Sequence, residues 1–147
     1  RFTFKNGYQF NEIGIRNFDR INSPLFSRKV KDILHNHALI AELDYHSANQ
    51  KLNSTIGFRQ NYISQLSKFI SEPRLQLNYA FSNAFKIEVL GEVKSQTSAQ
   101  IVDLQEDFLG IEKRRWTLAN NNDVPVTKSN QASFGVSFKK KKLVAYC

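Results

Sequence analysis

The sequence predicts an all-β chain, an antiparallel up-and-down meander of about seven to eight strands drawn from a wider barrel. Three observations point there. Apolar and polar residues alternate with a period of two in run after run. The links between the runs are short and long in turn. Aromatic residues gather on the apolar stripe beside the short links.

The runs justify the strands in order. Arg1–Phe4 already alternates at the start. Leu39, Ala41, Leu43 and Tyr45 form a second stripe, and Leu52, Ile56 and Phe58 a third. Arg74–Phe81 is the clearest, with Leu75, Leu77, Tyr79 and Phe81 opposed to Arg74, Gln76, Asn78 and Ala80. Phe85–Val93 repeats it, and Ala132, Phe134, Val136 and Phe138 close the series. Spacing by two places each set on one face, because successive strand side chains point to opposite sides.

The links carry more information. Lys5-Asn6-Gly7 holds Asn-Gly, the dipeptide favoured in two-residue hairpins, and is expected to be a tight turn. Ser47–Gln50, Ser82-Asn83-Ala84 and Lys139–Lys142 are the other short links. Between them lie long polar stretches at Asn17–Ile33, Tyr62–Glu72 and Ser98–Lys128. Within the second of these, Ile63, Leu66, Phe69 and Ile70 have the spacing of a short surface helix. In an up-and-down sheet alternate connections share an end, so all short turns fall on one rim and all long loops on the other. That asymmetry is the pattern of outer-membrane barrels, and loops beyond about 12–15 residues are uncommon in compact domains. Tyr45, Phe81, Phe85 and Phe138 stand near the short turns, where an aromatic girdle at a membrane–water boundary belongs.

Composition narrows the alternatives. Of 147 residues 41% are hydrophobic, and twelve Phe against three Pro and six Gly argue against disorder. No run reaches the roughly 18 apolar residues of a transmembrane helix, whereas barrel strands need only about 9–11 alternating ones. One cysteine excludes an internal disulfide framework. The absence of Met and the abrupt ends at Arg1 and Cys147 lead to the expectation that residues 1–147 are an internal piece of a barrel domain, one that aggregates or fails to fold alone through its unpaired edges. The net charge of +8 raises a soluble, nucleic-acid-binding β-domain as an alternative. Its spread weakens that reading: Lys139–Lys142 is one solvated turn, and the other cations are scattered among Glu42, Asp44, Glu88 and Glu92.

Glu42, Asp44, Arg59, Arg74, Lys86, Glu88 and Glu92, with Lys94, oppose the apolar stripe. In a wide barrel that is the lumen face. The stripe itself carries almost no charge and suits lipid. His35 and His37 share a strand face, but neither a third ligand nor an acidic partner stands at useful spacing, so no metal site and no cofactor are expected. No carboxylate pair or Gly-rich phosphate loop suggests an enzyme.

The third long loop carries a family resemblance. Asp107-Phe108-Leu109-Gly110-Ile111-Glu112-Lys113-Arg114-Arg115-Trp116-Thr117-Leu118-Ala119, followed by Val124-Pro125-Val126, resembles TonB-dependent outer-membrane receptors of the Bacteroidetes type. Glu72-Pro73-Arg74 and Gln131-Ala132-Ser133-Phe134-Gly135 fit the same pattern in order. The resemblance spans roughly Gly7 to the C-terminus. It implies part of a barrel of about 22 strands occluded by a plug, importing a siderophore, metal chelate, vitamin or oligosaccharide with energy delivered through the TonB complex. The plug and the remaining strands are outside this chain, and the closing strand of the family usually ends in an aromatic residue where this chain ends in Cys147. The implied partners are outer-membrane lipid, the plug, TonB through the plug region, and a small-molecule or chelate ligand; nucleic acid is not among them. A porin or an assembly factor is the alternative within membrane barrels.

Lys113, Arg114, Arg115 and Trp116 are the candidate ligand contacts. Guanidinium forks grip carboxylates and phosphates, and an indole face stacks on rings. A structural loop, with Trp116 packed on Phe108, Leu109 and Leu118, is the competing account.

Overall fold

The computed structural model describes residues 1–22, 25–103, 113–140 and 143–146. Among them are nine strands: β1 (Phe2–Asn22), β2 (Leu25–His46), β3 (Leu52–Ile63), β4 (Lys68–Ala80), β5 (Phe85–Gln96), β6 (Ser98–Asp103), β7 (Lys113–Leu118), β8 (Thr127–Lys140) and β9 (Leu143–Tyr146). Seven form one antiparallel sheet in the order β1-β2-β3-β4-β5-β8-β9, and β6 and β7 form a separate two-stranded sheet. The all-β meander expected from the alternation is therefore present, with one hairpin inserted between β5 and β8.

Two of the expected short turns stand where the sequence puts them. At Ser47–Lys51 the Ser47 amide donates to the Leu52 carbonyl at 2.9 Å, the Ser47 hydroxyl accepts from the Leu52 amide, and Gln50 takes a positive φ of 57°. At the next turn the Ser82 hydroxyl oxygen accepts from the amides of Ala84 and Phe85. In the Lys139–Lys142 link, Lys139 and Lys140 belong to β8, and Lys141 and Lys142 lie outside the described residues.

Lys5-Asn6-Gly7 is not a turn. It runs straight through β1, with Lys5 opposite Glu42, Asn6 opposite Ala41 and Gly7 opposite Ile40. An Asn-Gly pair permits a hairpin but does not compel one. The long partner β2 satisfies the backbone groups on both sides, and an extended ladder wins.

The Asn17–Ile33 stretch is likewise no irregular loop. β1 and β2 stay paired from Ile13–Leu34 out to Asn22–Leu25, a ribbon that projects roughly 37 Å past the last β2–β3 pair, Asn36–Ile63, at about 3.4 Å per residue. Tyr62–Glu72 shrinks to a single 3-10 turn at Ser64–Leu66, ended by Ser67 at φ 50°. The expected surface helix is absent because Tyr62 pairs with Phe69 and Ile63 with Lys68 in the β3–β4 ladder, and an isolated helix that short is unstable. Of Ser98–Lys128 the described part is the β6–β7 hairpin and its return to β8. One end of the sheet is thus finished by tight turns, and the other bears a ribbon, a 3-10 turn and a hairpin.

Those three features meet. Leu34, Ile63, Leu66, Ile70, Leu118 and Ala119 form the buried cluster, with Ile13, Ile15 and Val126 packed against it. Leu34 and Ile63 are each 1% exposed. The β6–β7 ladder runs on one step, with the Ala119 amide donating to the Thr97 carbonyl at 2.7 Å, and the Asn17 side-chain amide ties the hairpin to the ribbon by donating to the Trp116 carbonyl at 2.8 Å.

Candidate functional site

Residues directly opposed across an antiparallel pair share a face, so the register sorts the sheet into two chemically distinct surfaces. The first holds Phe2, Phe4, Tyr8 and Phe10 of β1 opposite Tyr45, Leu43, Leu39 and His37 of β2. It continues through Ile56 and Phe58 of β3, Pro73, Leu75 and Leu77 of β4, Ile87 and Val89 of β5, and Phe134 and Val136 of β8. Nothing in the described residues covers it: Phe4 is 66% exposed, Leu39 64% and Phe134 66%. No helix among the described residues is long and apolar enough to cross a membrane, a statement that does not bear on strands.

Aromatic rings bound this surface at both ends. Beside the tight turns, Phe2 meets Tyr45 and Phe85 meets Phe138, each pair with centroids 4.8 Å apart. At the opposite end Tyr62 and Phe69 are 4.8 Å apart, Phe10 lies 5.0 Å from the His37 ring, and Tyr8 Oη is 2.7 Å from His37 Nδ1. The sequence suggests only the first row. The second escapes notice because it depends on register: Tyr8, Phe10, His37, Tyr62 and Phe69 become one row only once β1, β2, β3 and β4 are aligned. The available signal was Tyr62 and Phe69 on either side of one connection.

His35 and His37 lie on this surface near the second row. His35 Nε2 is 3.3 Å from the Glu12 carboxylate, and His35 Nδ1 is 2.9 Å from the Gln65 side-chain nitrogen. No acidic residue stands near this pair at useful spacing in the sequence; β1 supplies one, from 23 positions away. The described residues contain no group of three or more His, Cys, Asp or Glu arranged for a metal.

The second surface is charged. Glu42, Asp44, Arg59, Arg74, Lys86, Glu88 and Glu92 all stand on it, in register across β2 to β5. Lys5 joins them from β1 with its amine 2.6 Å from Asp44 and 3.0 Å from Glu42, a contact that depends on Lys5-Asn6-Gly7 being strand and not turn. Thr55 donates its hydroxyl to Asp44 at 2.7 Å. Arg59 lies 3.6 Å from Glu72 and donates to Gln9 and Asn61; Arg74 and Lys94 lie 3.5 and 2.7 Å from Glu92. The ion pairs of Lys5, Arg59 and Arg74 join neighbouring strands, and that of Lys94 lies within β5. Glu72 has a further task. The β4–β5 ladder ends at Arg74–Glu92, and just beyond it the Glu72 carboxylate accepts from the Ser95 amide at 2.8 Å and from the Ser95 hydroxyl. A side chain replaces the lost ladder bond.

Towards the ribbon end this same surface turns apolar, at Leu34, Ala38, Ile63 and Ile70, and the segment after β7 folds onto it. The hairpin therefore leans over the charged surface, not over the apolar one.

The loop candidates Lys113, Arg114, Arg115 and Trp116 fall on β7, opposite Asp103, Val102, Ile101 and Gln100. Alternation divides them. Arg115 is buried at 8% exposure, Arg114 is exposed, and Trp116 is 51% exposed. The Lys113 side chain lies outside the described residues, as do Phe108 and Leu109. Arg115 on one face of β7 and Arg114 and Trp116 on the other do not converge on one point.

Comparison with known proteins finds no matching family model, no matching curated protein and no matching solved structure.

Proposed function

We propose that this chain forms part of the wall of a transmembrane β-barrel of the bacterial outer-membrane type. One observation carries the reading: a continuous, uncovered apolar sheet surface bounded at both ends by aromatic rows. Tyr45 and His37 are eight positions apart on β2; on β4, Tyr79, opposite Leu52 beside the tight turns, and Phe69 are ten positions apart. At about 3.4 Å per residue and a tilt of 35–45°, these separations give roughly 21 and 26 Å of height. The apolar band of such barrels is about 25 Å tall.

On this reading the apolar surface faces lipid and the charged surface lines a wet lumen. Glu42, Asp44, Arg59, Arg74, Lys86, Glu88 and Glu92 are then lumen residues. The tight turns lie on the periplasmic side and the ribbon and hairpin on the outside. A lumen so thickly charged suits a wide barrel that holds a plug. With the resemblance of the Asp107–Ala119 and Glu72–Arg74 segments, this favours a TonB-dependent receptor that imports a scarce nutrient, in which Arg114 and Trp116 are the exposed candidates for ligand contact. A plug domain encoded ahead of this segment in the full gene product supports the receptor. An open lumen in that product excludes it in favour of a porin or an assembly factor.

The membrane step is tested by fluorescence. Phe58→Trp, in a background where Trp116 and every other Trp of the gene product are replaced by Phe, places the sole indole at mid-band on the apolar surface. Reconstituted in vesicles with brominated acyl chains, the gene product is expected to show strong quenching there, and little for Thr55→Trp on the charged surface. Equal quenching at the two positions, or none, excludes the assignment.

A further inference from the structure

We propose that the membrane-side face of the β1–β2 ribbon binds the anionic head group of a glycolipid, through Arg16, Arg20, Lys29 and Lys31. The inference rests on the transmembrane reading and goes beyond it.

The register gathers these cations. Even positions of β1 and odd positions of β2 continue the apolar sheet surface into the ribbon, where Arg16 lies opposite Lys31, Phe18 opposite Lys29, and Arg20 opposite Ser27. All four cationic side chains are exposed, and Phe18 is 62% exposed among them. From Gly14 to Ile33 this face carries no acidic residue; Asp19 and Asp32 occupy positions of the opposite parity. The contrast with the charged sheet surface is informative, because cations there sit against carboxylates. Between Gly14 and Ile33 four of the five basic positions fall on this face, and the fifth, Arg28, shares the opposite parity with Asp19 and Asp32. Four cations on the side that continues the lipid-facing surface form a matched site for a multiply anionic surface.

Height selects the kind of lipid. Arg16 is six positions beyond Phe10 of the outer aromatic row, roughly 20 Å along the strand and about 15 Å in height at the same tilt. The head-group layer of an ordinary phospholipid is only about 5–8 Å thick on each side of the hydrocarbon. Its phosphate lies below the cluster. A glycolipid whose core sugars bear phosphates or carboxylates extends far enough, and Phe18 offers an apolar ring against which the C–H face of a sugar can rest.

The test uses the full gene product in zwitterionic detergent, titrated with rough-core lipopolysaccharide and read by native mass spectrometry. The quadruple variant Arg16→Gln, Arg20→Gln, Lys29→Gln, Lys31→Gln is expected to weaken binding by about tenfold or more. The control Arg74→Gln, Lys94→Gln on the opposite sheet surface is expected to leave it unchanged. Phosphatidylglycerol and inorganic phosphate are expected not to compete. Unchanged binding in the quadruple variant, or equal competition by phosphatidylglycerol, overturns the proposal. The Phe58→Trp quenching measurement separates the two levels. If quenching persists while lipopolysaccharide binding ignores the four substitutions, only the ribbon site falls. If quenching is absent in the parent protein, the membrane reading falls and the ribbon site with it.

Discussion

The Asn17 side-chain amide donates to the main-chain carbonyl of Trp116 at 2.8 Å, across 99 positions of sequence. It ties the ribbon to the inserted hairpin at the point where both rest on Leu34 and Ile63. Replacing it with Asn17→Ala removes a bond of about 0.5–1.5 kcal/mol. Hydrogen exchange at residues 113–119 is expected to quicken while exchange in β3 and β4 stays as it was. Uniform quickening across the sheet contradicts a local tether.

Ile63 is 1% exposed in the cluster that joins β2, the 3-10 turn and the hairpin. Ile63→Ala leaves a cavity there and is expected to cost about 2–5 kcal/mol. Urea unfolding in lipid vesicles measures it. A loss below that range means that the hairpin collapses onto the vacated space.

Leu75 and Gln76 are neighbours on β4 that face opposite ways, Leu75 beside Ile56 and Gln76 beside Thr55. Leu75→Arg places a charge at mid-band on the apolar surface and is expected to destabilise by about 2–4 kcal/mol in a bilayer. Gln76→Arg is expected to fall within about 0.5 kcal/mol of the parent. The same unfolding measurement, run on both, reads the difference; similar losses argue against a lipid-facing surface.

Glu72→Ala removes the acceptor of the Ser95 amide and the carboxylate beside Arg59. Leaving the Ser95 amide without its acceptor is expected to cost about 1–3 kcal/mol. Glu72→Gln keeps an acceptor oxygen and loses the charge, so it is expected to recover part of that stability. If the two variants unfold alike, the ion pair and not the amide bond is what matters.

Much of the strand pattern was readable in the residues. Leu75, Leu77 and Tyr79 against Gln76 and Asn78 can be satisfied only by a sheet with unlike faces, and β4 has them. The charged residues from Glu42 to Glu92 came out on one face for the same reason: period-two alternation is a local property that any pairing preserves. What failed was the reading of connections. Asn6-Gly7 and the polar Asn17–Ile33 stretch look like loop because their local signals are weak or contrary, yet each is held extended by a partner strand.

Alone, the sequence determined that this chain alternates, that its faces differ, and where its tightest turns at Ser47–Gln50 and Ser82–Ala84 fall. Those outcomes follow from side-chain geometry within a few residues. The tertiary structure decided register, and with it everything that joins distant strands: the outer aromatic row, the Lys5–Asp44 contact, the Glu12–His35 pair, the basic face of the ribbon, and the division of Arg114 and Trp116 from Arg115. A shift of one residue in any pairing sends every side chain of that strand to the other face, and no local pattern carries that information.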